Sequence, residues 1–255
     1  MAPLVKSPGR IGDPLWLPDV LQAFGVRVRE YPAWKDRGHG DFGRIGGIVC
    51  HHTGHNHTSA DFIAHHPDLG LCSQMHLSRD GLITVVGAGI AWHAGTGSWP
   101  GLPTNAANQV TIGIEAQSDG TTPWPEEQLD AYYRTCAAIC WYLGLHSATV
   151  IGHKEWAGPA QGKWDPGLID MPQFRARVQH YIDNPPFMTG DDSFMTAFTD
   201  IETRFGSRVP GSTVTMRPID ALLNADAHSF VARANSEALL KRMDQLEAKL
   251  DKLTK

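Results

Sequence analysis

Within VCHHTGHNHTS, residues 49–59, stand four of the chain's 13 histidines: His51, His52, His55 and His57. Histidine at that density raises metal chemistry first, because neutral imidazole is the commonest metal ligand in proteins. A catalytic zinc takes three protein ligands and keeps a further position open for water. The helical route to such a site, two histidines one turn apart with a glutamate between, is excluded: only His52, Thr53 and Gly54 separate His51 from His55. His55 and His57 sit in a polar, loop-like stretch and read as solvated side chains. His51 and His52 close the apolar run IGGIVC, where a strand would fix their direction. Neighbours on a strand face opposite ways, so one of the pair, not both, should enter a pocket, and counting by twos does not say which. Farther along, His153 ends the apolar run VIGH, Asp165 follows in GKWDPG, and an acid, Glu115, interrupts the apolar run TIGIEA.

These side chains need elements to hold them. IGGIVCHH (45–52) reads as a buried strand and TSADFIAHH (58–66) as a short helix capped by Thr58 or Ser59. QMHLS and LITVV flank Asp80-Gly81, a strong hairpin signal. VTIGIEAQ (110–117) is another apolar strand, and ATVIGHKEW (148–156) reads as a strand leading into a loop. The clearest helix is PEEQLDAYYRTCAAICWYLG (125–144), where Leu129, Tyr132, Tyr133, Cys136, Cys140 and Leu143 recur at helical spacing and Gly144 can close it. MPQFRARVQHYI (171–182) is a helix with Pro172 near its start. Strands mixed with helices imply an α/β or α+β layer fold.

The chain of 255 residues suits one main domain with an appendage. A formal net charge of -5 gives no support to broad binding of nucleic acid or anionic membrane. Cys50, Cys72, Cys136 and Cys140 are too few for a disulfide scaffold and read as reduced core thiols. No apolar run follows a basic start at the N-terminus, and none reaches the roughly 18 residues that span a bilayer, so the expectation is a chain without signal peptide or membrane insertion. Residues 1–44 read as an N-terminal extension packed on the domain, 183–216 as a linker or irregular segment, and 217–255 as a C-terminal helix. Leu239, Met243, Leu246, Leu250 and Leu253 follow a heptad, so residues 239–253 are expected to form a coiled coil through which the chain self-associates; the alternative is one amphipathic helix lying on the main domain.

IVCHHTG, IGIEAQ, GHKEWA and KWDPG, in that order, resemble the zinc-dependent N-acetylmuramoyl-L-alanine amidases of the type-2 amidase and peptidoglycan-recognition-protein superfamily. YPAWKDRGHGDFG, LCSQMHLSRDG and AWHAGTG sharpen this to the endolysins of phages that infect actinobacteria. The resemblance spans about residues 25–182 and implies a mixed central sheet flanked by helices, with Zn2+ at one end of the strands. It implies His51, His153 and Asp165 as metal ligands, and Glu115 and Lys163 as catalytic groups. The substrate would be peptidoglycan, of the meso-diaminopimelate type, with His93, Trp92 and Trp156 as candidate contacts. The family's tyrosine before the hairpin has no counterpart: its slot holds Ser73 or Gln74. Such a lysin waits in the host cytoplasm and reaches the wall through a membrane pore made by another protein.

Three other readings compete. A recognition module that has lost its zinc would dock peptidoglycan without cutting it, but the full ligand set favours an enzyme. A virion-associated lysin would use the same domain to puncture the wall. A histidine-metal nuclease would want a basic face, which the net charge of -5 does not offer.

Overall fold

The computed structural model describes residues 4–189 and two short strands, Phe205–Gly206 and Thr215–Met216, which pair antiparallel. The chain divides into two units, Met1–Thr189 and Gly190–Lys255. The expected helix over 217–255, with its heptad seam, lies outside the described residues.

The first unit is built on a six-stranded sheet. In chain order its elements are α1 (Leu17–Ala23), β1 (Arg27–Glu30), β2 (Gly47–His52), α2 (Ala60–Ala64), β3 (Met75–Leu77), β4 (Leu82–Val85), β5 (Thr111–Ala116), α3 (Glu126–Leu143), β6 (Val150–Gly152), α4 (His153–Trp156), α5 (Gly158–Gln161), α6 (Met171–Asp183) and α7 (Pro186–Thr189). The strand order is β1-β4-β3-β5-β2-β6. Strands β3, β5, β2 and β6 run parallel to one another, while β4 is antiparallel to β3 and carries β1 parallel to itself. The sheet is therefore mixed and flanked by helices, as expected.

Alternation along the central strands divides the molecule. Ile48, Cys50, Ile112, Ile114 and Ala116 join one core cluster with Tyr132, Cys136, Ile139 and Cys140 of α3 and Phe174 and Val178 of α6. Each such aliphatic side chain taken out of water contributes about 1.5–3 kcal/mol before entropic costs. Val49 and Ile151 face the other way, into a smaller cluster with Ala94, Ala107, Trp156 and Ala157. Gly144 closes α3 with φ 67°, the left-handed conformation that glycine adopts without a Cβ penalty. Ser59 caps α2 by accepting the Phe62 N–H. All four cysteines are free and buried, in keeping with core thiols.

Two elements depart from expectation. The segment after β6 is not a loop: His153 opens the helical turn α4. The first 44 residues contribute α1 and the edge strand β1, so part of that extension belongs to the sheet. Among the described residues, no helix is long and apolar enough to cross a membrane.

Candidate metal and catalytic site

Strand parity resolves the histidine pair. Cys50 points to α3, so His51 points to the opposite face, where β5 sets Glu115 directly beside it in register. Strand β6 pairs Gly152 with Cys50, so His153, one residue on, emerges next to His51. Asp165 arrives from the loop after α5 and is held in place by Lys154. The Lys154 N–H donates to the Asp165 carbonyl at 2.7 Å, and Nζ donates to the carbonyls of Pro166 and Ile169 at 2.9 and 2.6 Å.

The three side chains converge. Nδ1 of His51 and Nδ1 of His153 stand 3.1 and 3.0 Å from the same Asp165 oxygen, Oδ2. The three candidate ligand atoms lie within 4.8 Å of one another, and all three residues are buried. A tetrahedral zinc with bonds near 2.0–2.2 Å sets neighbouring ligand atoms roughly 3.3 Å apart, so the observed spacing fits that ion. The donor chemistry fits as well. Burial, reinforced by neighbouring His153, pushes His51 down to about 4 against the pull of Asp165, leaving its imidazole neutral and able to ligate. Burial would raise Asp165, but the His153 and His51 imidazoles beside it hold it well below the usual carboxylate range, so it is anionic.

A cavity of about 230 Å³ opens over this triad, and Glu115 and Lys163 both line it. Glu115 Oε1 is 3.9 Å from His51 Nδ1, and its other oxygen, Oε2, is buried with no hydrogen-bond partner. Burial, with a smaller push from Asp165 and a counter-pull from Lys163, raises its pKa to about 8. Its lining also includes the apolar and aromatic side chains of Phe62, Ile63, Leu69 and Trp92, with Phe62 and Trp92 both substantially exposed. Trp92 stacks on His39 with ring centroids 4.7 Å apart.

The other sequence candidates distribute as follows. His52 reaches the rim despite its parity, because β2 ends there. Its Nδ1 accepts the Gly167 N–H at 2.9 Å, and its ring packs edge-on against Trp164. His55 and His57 are exposed and lie outside the cavity lining. His93 lines the cavity, but both its ring nitrogens face protein: Nδ1 faces His51 Nε2 at 3.1 Å and Nε2 faces the Thr111 carbonyl at 3.3 Å. Trp156 is buried to 1 % exposure in the cluster behind β2 and does not line the cavity. Ser73 and Gln74 are buried away from it too, and the neighbouring residue that does line it is Cys72. Sequence reasoning missed Cys72 and Lys154. The first had no signal beyond lying just before the hairpin, and the second lay within GHKEWA but carries no periodicity of its own.

Among solved structures, the amidase AmiD from E. coli, in complex with anhydro-N-acetylmuramic acid-L-Ala-D-gamma-Glu-L-Lys, is 22% identical with a TM-score of 0.46, over 53% of this chain and 58% of that one. This chain thus spans little more than half of AmiD's length. An AmpD derivative is 23% identical with a TM-score of 0.43, over 60% of this chain and 94% of that one. The endolysin amidase LysCS from Clostridium intestinale is 16% identical with a TM-score of 0.43, over 60% and 94% of the two chains. No curated protein sequence matches significantly. The family model for N-acetylmuramoyl-L-alanine amidase, Amidase_2, matches residues 41–168, which run from just before β2 through Asp165. That match covers just over half of the sequence, and the chain belongs to this amidase family.

Proposed function

We propose that the chain is a zinc-dependent phage endolysin that hydrolyses the amide joining the lactyl group of N-acetylmuramic acid to L-alanine of the stem peptide. The observation that carries this reading is the convergence of two buried imidazoles and one carboxylate within 4.8 Å, on a cavity also lined by a buried glutamate and a lysine. A zinc ion held by His51, His153 and Asp165 would supply the positive charge that acidifies a water and polarises the scissile carbonyl. Glu115 accepts a proton from the attacking water and returns it to the departing alanine nitrogen. One water is consumed, a carboxyl appears on the lactyl group, and a free amino terminus appears on the peptide. Burial, which raises the proton affinity of Glu115 in the metal-free protein, and the lack of a partner for Oε2 suit a group that must take and give a proton. The Lys163 ammonium, on the same cavity, stabilises the oxyanion that develops on the carbonyl oxygen. Trp92, exposed at the rim, offers an indole face to the glycan or the stem.

The substrate in this reading is peptidoglycan of the meso-diaminopimelate type. The enzyme waits in the host cytoplasm and reaches the wall through a pore made by another protein, and residues 239–253 bring copies together. The test is digestion of purified meso-diaminopimelate peptidoglycan by wild type, by chelator-treated protein and by Asp165→Ala, read by mass spectrometry. Free stem peptides beginning at L-alanine, lost on chelation and in the variant, are the expected result. Binding without new termini would replace the enzyme by a docking module, and termini elsewhere would overturn the assigned bond.

A further inference from the structure

Each imidazole of the triad has a second ring nitrogen, and both second nitrogens meet the same two-residue strap. His51 Nε2 faces Nδ1 of His93 at 3.1 Å, and His153 Nε2 faces the carbonyl oxygen of Ala94 at 3.1 Å. The strap is itself pinned. The backbone N–H groups of His93 and Ala94 both donate to one atom, Oδ1 of Asn108, at 3.0 and 2.8 Å.

The chemistry of these acceptors selects a tautomer. A carbonyl oxygen only accepts, so the Ala94 contact requires the hydrogen of His153 on Nε2. The Thr111 carbonyl, 3.3 Å from His93 Nε2, likewise requires the His93 hydrogen there. Neutral His93 then offers a lone pair at Nδ1, which only a hydrogen on His51 Nε2 can satisfy. With that hydrogen on Nδ1 instead, two lone pairs would oppose each other across the His51–His93 contact. The strap is therefore complementary to the tautomer in which both Nδ1 lone pairs are free and turned towards Asp165.

We propose that His93 and Ala94, held by Asn108, are the positioning element of the metal centre, fixing the orientation and tautomer of both histidine ligands from a single strap. This makes His93 a positioning residue with no free ring nitrogen for the substrate, and gives Asn108 a role although it touches no ligand. The inference rests on the zinc reading of the triad. Outer hydrogen bonds of this kind orient a ligating imidazole and raise its basicity, and their loss typically weakens metal binding by about 10–100-fold.

The test is zinc affinity of the full chain, measured by competition with a chromophoric chelator at fixed pH, with the melting midpoint of each metal-free variant taken alongside. His93→Leu removes the acceptor while keeping bulk, and His93→Asn keeps an acceptor near the Nδ1 position. Asn108→Ala frees the strap, and Asn108→Asp keeps the Oδ1 acceptor. The expected result is a loss of about 10–100-fold in zinc affinity for His93→Leu, a loss in the same direction for Asn108→Ala, and affinity restored towards wild type in His93→Asn and Asn108→Asp. If His93→Leu does not fold, the Asn108 pair decides alone. Wild-type affinity in both disruptive variants would overturn the proposal, and so would equal weakening of each disruptive variant and its conservative partner, which would assign the effect to packing. Absence of zinc binding by the wild type would instead remove the metal reading itself, a failure distinguishable from that of the strap.

Discussion

Arg175→Met tests whether the Arg175–Glu155 ion pair holds His153, a candidate ligand, in place. Arg175, on α6, puts Nη1 and Nη2 2.7 and 2.9 Å from the two carboxylate oxygens of Glu155, and Nη1 also donates to the Val150 carbonyl at 3.2 Å. Glu155 Oε2 in turn accepts the Gly152 N–H at 2.9 Å, at the junction where β6 becomes α4 and His153 emerges. Methionine preserves much of the arginine stem but leaves the Glu155 carboxylate with that one backbone donor. Removing one member of a fully buried pair costs about 3–5 kcal/mol. Here the side chains are 17% and 20% exposed, so water recovers part of the loss, and about 2–3 kcal/mol is the working figure. In a domain of this size each kcal/mol moves the melting midpoint by about 2–4 °C, giving a fall of about 5–10 °C. The assay is thermal denaturation of metal-free protein followed by circular dichroism, with zinc affinity measured in parallel and expected to fall because the turn bearing His153 loosens. The double variant Glu155→Gln/Arg175→Met should recover part of the loss, because a neutral amide still accepts the Gly152 N–H without leaving an unpaired charge. A single variant that melts within about 2 °C of wild type, or a double variant less stable than Arg175→Met, would refute the reasoning.

Three further outcomes are expected. Glu115→Gln should cut amidase turnover by about 10²–10⁴-fold while zinc stoichiometry, read by metal analysis, stays at the wild-type value; unchanged turnover would exclude Glu115 as the proton carrier. Asp119 accepts the hydroxyl and N–H of Thr122 and the N–H of Thr121, which hold its carboxyl well below the usual range. A folded-state pKa below the unfolded one gives stability that is complete above about pH 4 and is lost as pH falls further. The difference in melting midpoint between wild type and Asp119→Asn should therefore be constant near neutrality and shrink in acid; a difference that grew on acidification would contradict this. Gly120 has φ 75°, and a Cβ there would overlap His52 and Trp164. Gly120→Ala should lower the melting midpoint through about 1–2 kcal/mol of backbone strain alone, and its Trp164 fluorescence should shift; neither change would mean that the loop tolerates a side chain.

What could be read from the sequence was what carries local periodicity or a turn code. Strands β2 and β5, the hairpin at Asp80-Gly81, and helices α3 and α6 each state their type within a few residues. The family resemblance then implied the three candidate ligands, which no spacing rule had joined across the more than 110 residues between His51 and Asp165. What stayed hidden depended on tertiary neighbours. The parity of His51 and His52 is undetermined until one knows that Cys50 faces Cys136, whose sulfur lies 3.8 Å away on α3. Strand β1, RVRE, has charges on both faces because it is an edge strand paired only with β4. Helix α4 is one turn long, too short to show a period, and its start is fixed by Glu155 reaching back to the Gly152 N–H. The burial of Trp156 was invisible for the same reason, since that turn aims its indole behind β2 instead of towards the cavity.

The sheet explains why these groups meet at all. Four neighbouring strands, β3, β5, β2 and β6, run the same way, so their carboxyl ends form one edge where side chains leave the ladder for the loops. Open sheets collect their ligands at such an edge. His51 and Glu115 share a rung of that edge, and His153 follows directly from the last residue of β6. From below, the Tyr132 hydroxyl lies within hydrogen-bond reach of the carbonyls of His51 and Ile114, at 3.1 and 3.2 Å, joining α3 to both strands beneath the site. The placement of His51, Glu115 and His153 is thus set by strand register, whereas Asp165 and Lys163 come from a loop. The cost of that loop's freedom is met by Lys154, whose backbone and side chain grip residues 165, 166 and 169 from the same turn that carries His153. One helical turn therefore positions two of the three candidate ligands, which is why a perturbation at Arg175 is expected to reach metal affinity as well as stability.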